Sequence, residues 1–151
     1  MNTATANRQE FKSSELSRNS GEVFAAAENG PVTVTRRDAD SLVLMNKREA
    51  EIRKQLFEFA AQLIAITTDD RGTLADRMSD HFPWMFALSE TDKAQCAKDL
   101  VNAARASFAT EQPHLAIAEL NSWRETAEAI AAGHQSTLVE WLDHDNTVAR
   151  P

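Results

Sequence analysis

A single cysteine, Cys96, stands in the chain, so no disulfide can form within it and the expected address is the cytoplasm. In its Ala-rich, helix-like surroundings Cys96 reads as a small core residue. Glycine and proline are scarce, four of each, while Ala, Leu and Glu are common. That balance favours helix over sheet, because these side chains lose little rotamer freedom in a helix. No apolar run approaches the roughly 18–20 residues that span a bilayer, so no membrane partner is expected. Met1 to Glu10 is polar and lacks the apolar core of a signal peptide. The four histidines, His81, His114, His134 and His144, show no H-x-x-x-H spacing and have no cysteine pair, so no metal is expected. Asp69, Asp70, Asp76 and Asp80 read as acidic loops and helix starts rather than Mg²⁺ ligands. No Gly-rich phosphate loop, nucleophile elbow or paired catalytic carboxylate occurs, which argues against an enzyme and against a cofactor.

Charge is unevenly spread. The chain carries −7 overall, yet residues 1–54 hold nine Lys/Arg against eight Asp/Glu, a net of +1. Residues 55–151 hold seven against fifteen, a net of −8. The front suits a phosphate backbone if its cations gather in space, and the acidic back suits a basic protein.

Ser13 and Ser14 offer N-cap hydroxyls before Glu15, and Leu16, Val23, Phe24 and Ala27 share one helical face. The helix must stop at Asn29-Gly30-Pro31. Val32-Thr33-Val34-Thr35 is β-branched throughout and reads as a strand. Leu42-Val43-Leu44-Met45 reads as a second, so the two form a hairpin. Asn46 and Glu49 resemble a capping box for a helix whose stripe is Ile52, Leu56, Phe59, Leu63 and Ile66. Residues 67–72 break it. The apolar cluster 81–86 follows, then a helix capped by Ser89 and Asp92 with the stripe Ala97, Leu100, Val101, Ala104 and Phe108. Pro113 opens another, carrying Ile117, Leu120, Trp123, Ala127 and Ile130 and ending at Gly133. Leu138, Val139, Trp141 and Leu142 make a last short amphipathic piece. The expected class is α+β: a small domain over residues 1–66 (short strand, helix, β-hairpin, helix), then a mainly helical region over 67–151.

Phe11-Lys12-Ser13-Ser14-Glu15-Leu16-Ser17-Arg18-Asn19, Asn29-Gly30-Pro31-Val32-Thr33-Val34-Thr35-Arg36 and Leu42-Val43-Leu44-Met45 together resemble the Phd/YefM family of antitoxins over about 40% of the chain. The family usually has Leu where Ser20 stands, and Gly in the hairpin turn where this chain has Asp38 and Asp40. The rear half, with Pro83-Trp84 and Trp123 to Glu128, is similar to the helical extension of actinobacterial antitoxins of this type.

The resemblance implies a symmetric homodimer that autorepresses by binding operator DNA and neutralises a cognate toxin, usually a ribonuclease of the RelE/ParE or PIN type or a Fic-like modifier. DNA contact is expected of Arg36 and Arg37, whose guanidinium forks match phosphates and guanine edges, and of Arg8 and Lys12; by position, the resemblance implies it for Arg18, Asn19 and Arg36. Toxin contact is expected of Leu56, Phe59, Leu63, Phe82, Trp84 and Phe86, the apolar anchors of an otherwise acidic segment. Phe11, Leu16, Val23, Phe24, Val32, Val34, Val43 and Met45 are expected to build core and dimer interface. The alternative is a stand-alone transcriptional regulator whose helical half oligomerises or senses a ligand.

Overall fold

A computed structural model describes residues 8–134. The short strand β1 (Glu10–Lys12) leads into one helical turn, α1 (Glu15–Arg18), and then α2 (Ser20–Asn29). The expected single first helix is therefore two. Asn19 breaks it with φ −144° and ψ 45°, and Ser14 is itself helical with no side-chain cap. Gly30 and Pro31 end α2 and release the chain into β2 (Val32–Thr35). Strand β3 (Leu42–Leu44) returns beside it. The sheet order is β1-β2-β3, with β1 parallel to β2 and β2 antiparallel to β3.

Register places Phe11, Val34 and Leu42 side by side, and Val32 beside Leu44. Alternation then turns Phe11, Val32 and Val34 onto the buried face, where Phe11 and Val32 meet Val23 and Ala27 of α2. Of the residues expected in core and dimer interface, two lie outside the core of the single chain: Phe24 is 54% exposed on α2, and Val43, which pairs with Thr33 on the opposite face, is 61% exposed. An α2 that covers three short strands buries few large side chains.

Asn46 begins α3 (Lys47–Thr68) by accepting the Glu49 N–H at 2.7 Å. The other half of the capping box does not form, because the Glu49 carboxylate takes Arg53 Nε at 2.9 Å and His114 Nε2 at 2.9 Å instead. Thr67 and Thr68, expected in the break, continue the helix and donate their hydroxyls back to the Leu63 and Ile64 carbonyls. Arg77 then closes the corner, donating to the terminal Ile66 carbonyl at 2.9 Å and to Gly72 at 2.8 Å.

Helix α4 (Leu74–His81) opens on a reciprocal capping box between Thr73 and Asp76, which places Asp76 at a helix start. A 3-10 turn (Pro83–Ala87) links it to α5 (Glu90–Thr110), capped by Ser89. Helix α6 (His114–Ala131) follows Pro113. The residues Leu138, Val139, Trp141 and Leu142 lie outside the described range.

The helical core gathers Phe59, Leu63 and Ile66 from α3 with Met78, Phe82, Met85, Leu100, Ala104, Ala116 and Ala127. Phe108, expected in that stripe, is 45% exposed. Ser107 is buried in its stead, its hydroxyl accepting the Ala116 N–H at 3.0 Å. None of these residues belongs to the cluster under α2. The apolar grouping thus sets α3 with the helices after it, whereas a first domain ending at residue 66 would cut through this core. No described helix is long and apolar enough to cross a membrane.

Candidate nucleic-acid interface

Parallel pairing brings the C-terminal ends of β1 and β2 together, with Lys12 opposite Thr35. The Ser13 N–H donates to the Thr35 carbonyl at 2.9 Å, and the Thr35 hydroxyl donates to the Phe11 carbonyl at 3.2 Å. These bonds hold the two strand exits side by side. The backbone of Lys12 therefore lies beside the start of the connection that carries Arg36 and Arg37, although 24 positions separate Lys12 from Arg36 in the chain. Arg18 lies one helical turn beyond the same corner.

Arg36 donates Nε to the Asp40 carbonyl at 2.7 Å, which folds the hairpin connection back without neutralising its charge. Among the described residues Lys12, Arg18, Arg36 and Arg37 form no ion pair. All four are exposed. Exposed charged donors without carboxylate partners, two of them on chain segments that leave the paired strand ends, are suited to phosphate. Asp38 and Asp40 are the carboxylates of the same connection.

The other two expected DNA ligands are differently placed. Arg8 grips Glu15 through two bonds of 2.8 Å, donates Nε to the Glu10 carbonyl at 2.9 Å, and lies 4.4 Å above the centre of the Phe11 ring. Glu15 also accepts the Lys12 N–H at 2.7 Å. The Arg8 bond, followed by the Lys12 N–H, holds the Glu15 carboxyl below its ordinary range. Arg8 is thus the latch between β1 and α1, not a free arm. Asn19 is engaged as well, donating its amide to Glu22.

The chain matches no family model, no curated protein and no solved structure.

The expected toxin contacts divide by burial. Phe59, Leu63 and Phe82 are buried in the helical core, with Phe82 tilted against Phe59 and Trp84 at ring distances of 5.9 Å each. In this fold they are not available to a partner, a correction that follows from α4 and α6 closing over α3. Leu56 and Trp84 are half-buried at the edge of that core. Phe86 alone of the six is well exposed, at 61%, with Lys93 Nζ 5.3 Å from its ring centre.

Sequence reasoning passed over Phe57 and Ile64, 80% and 64% exposed on α3. Their spacing of seven was the available signal, hidden beside the stronger buried stripe. Among the described residues no three His, Cys, Asp or Glu side chains converge to hold a metal. Cys96 is buried, and that burial pushes its thiol up to about 12. It is a packing residue rather than a nucleophile.

Proposed function

We propose that this chain is a cytoplasmic, homodimeric antitoxin of the Phd/YefM type, which represses its own operon through operator DNA and neutralises a cognate toxin, a ribonuclease in the simplest case. The observation that carries the reading is the gathering of Lys12, Arg36 and Arg37 at the paired ends of β1 and β2, with Arg18 one turn away and no ion pair on any of them. The order strand, helix, hairpin, helix supports the family likeness. Exposed Phe24, Leu42 and Val43 support self-association of the small N-terminal unit, whose few buried residues are a weak core for a lone domain. Toxin binding then falls to the outer surface of the acidic helical region, including Phe86, because the inner residues are occupied.

One observation favours the second reading, a stand-alone regulator. The helical region is closed around its own core, as a folded oligomerisation or sensing module would be. Two measurements separate them. Promoter binding by the purified chain, lost in Arg36→Ala/Arg37→Ala, is expected under both. Rescue of growth from the product of an adjacent reading frame is expected only of the antitoxin, and failure of that rescue leaves the regulator.

A further inference from the structure

Helix α3 has two apolar stripes, and only one of them is covered. Phe59, Leu63 and Ile66 face the helical core. Phe57, Ala61 and Ile64 each precede one of these by two positions, about 200° around the helix, and are exposed on the far side. Phe57 and Ile64 stand 80% and 64% exposed, and Phe57 shares with Phe108 the rim of an apolar groove of about 390 Å³. Single exposed apolar residues are ordinary; a stripe with a groove beside it marks a contact surface.

We infer that this outer stripe is the surface on which a second copy of the chain docks, α3 against α3, antiparallel about a two-fold axis near Ala61. Charge selects the occupant. Residues 59–68 contain no Asp, Glu, Lys or Arg in a chain of net charge −7, so most of the stripe can meet its copy without repulsion. Charge also selects the direction. Arg53 and Lys54 flank one end of the stripe and Asp69 and Asp70 the other. The Lys54–Glu58 pair is loose, 3.7 Å between exposed side chains, and Asp70 forms no ion pair among the described residues. Antiparallel pairing brings Lys54 of each copy towards Asp70 of the other, whereas parallel pairing sets Lys54 against Lys54.

Shape agrees with the two-fold. Phe57 and Ile64 are almost equidistant from Ala61, so Phe57 of one copy meets Ile64 of the other, twice. The small Ala61 at the crossing lets the helix backbones approach. This contact is independent of the N-terminal surface and of the DNA-binding reading.

The test uses the full chain carrying Ala61→Cys. On the axis the two Cα atoms of position 61 come within the roughly 4.4–6.8 Å separation that a disulfide requires. Buried Cys96 makes the unaltered chain a blank. Ser122→Cys, on the exposed side of α6, reports random collision. Under mild diamide oxidation Ala61→Cys is expected to form covalent dimer severalfold faster than Ser122→Cys. Adding Ile64→Lys, an exposed site whose change leaves helix content intact, should return the rate to the collisional level. Ile64→Lys alone should also lower the sedimenting mass of the chain. Equal rates at positions 61 and 122, or cross-linking at 61 that ignores Ile64→Lys, overturns the inference. Either outcome leaves the promoter-binding measurement untouched, so the two readings fail separately.

Discussion

Arg8 and Glu15 are joined by two parallel hydrogen bonds of 2.8 Å, and this pair ties the start of β1 to the first turn of α1. The same carboxylate accepts the Lys12 N–H, so one acidic side chain sets the path by which Lys12 reaches the surface next to Arg36. Because the Glu15 carboxyl titrates below its ordinary 4.5 in the fold, it stabilises the folded state above that value. The contribution is lost as pH falls through the lower, folded-state value. Glu15→Gln should therefore lower the melting temperature by a few degrees at neutral pH and flatten its decline in acid. Parallel melting curves for the two proteins from neutral pH into the acid range would contradict this.

Removing Arg8 should act differently from removing the strand-end cations. Arg8→Ala loosens the latch and should lower thermal stability along with promoter affinity. Arg36→Ala should leave stability unchanged and weaken promoter binding by about 1–3 kcal/mol if the side chain reads a base. Lys12→Ala, as a phosphate contact, should weaken all DNA alike and reduce the salt slope of log K by about one. Melting curves and fluorescence anisotropy across a salt series distinguish the three.

Much of this was legible where the chemistry is local. Asn29-Gly30-Pro31, the alternating valines of β2, Asn46 with Glu49, and Ser89 with Asp92 each mark an element edge through neighbours no more than a few positions away. What stayed hidden depends on distant partners. Lys12 stands beside Arg36 only because β1 chooses β2 and runs parallel to it. Ser107 takes the buried place expected of Phe108 because a backbone N–H from α6 reaches its hydroxyl. Phe59, Leu63 and Phe82 looked like anchors for a partner because an apolar stripe does not say whether its cover comes from the same chain.

Phe57 and Phe59 lie two positions apart and should respond in opposite ways to protein concentration. Phe59 is 1% exposed in the helical core, and Phe59→Ala should cost about 3–5 kcal/mol at any concentration. Phe57→Ala removes a side chain that the single copy leaves in solvent, so its melting temperature should match the parent in dilute solution. It should fall behind only as concentration rises and copies associate. A Phe57→Ala deficit that is independent of dilution would tie Phe57 to the fold of the single chain.

Cys96 gives a probe of that same core. Its thiol is fully buried and its pKa is raised to about 12, chiefly by desolvation. Iodoacetamide at neutral pH should leave the native protein unlabelled and modify it at the rate of global or sub-global opening. Phe59→Ala should speed that labelling, whereas Arg8→Ala should not, since the Arg8 latch and the helical core share no buried residue. Faster labelling in Arg8→Ala would mean that the two clusters unfold together.

That independence bears directly on neutralisation. The helical core draws on residues from Leu56 to Ile130, and Asn46 supplies the cap of its first helix. A fragment covering residues 46–151 retains every one of these groups and should fold, with the helical circular dichroism and cooperative melt of a closed core. Residues 1–45 keep, among the described residues, only Phe11, Val23, Ala27, Val32 and Val34 as buried apolar side chains and should not fold alone. If the chain is an antitoxin whose acidic helical surface covers the toxin, the 46–151 fragment should protect cells expressing the neighbouring gene while leaving the promoter active. Within that fragment Phe86→Glu, at an exposed ring away from the core, should weaken protection without altering the melt. Protection by the 1–45 fragment, or full protection by every surface variant of the helical region, would move toxin binding away from this surface.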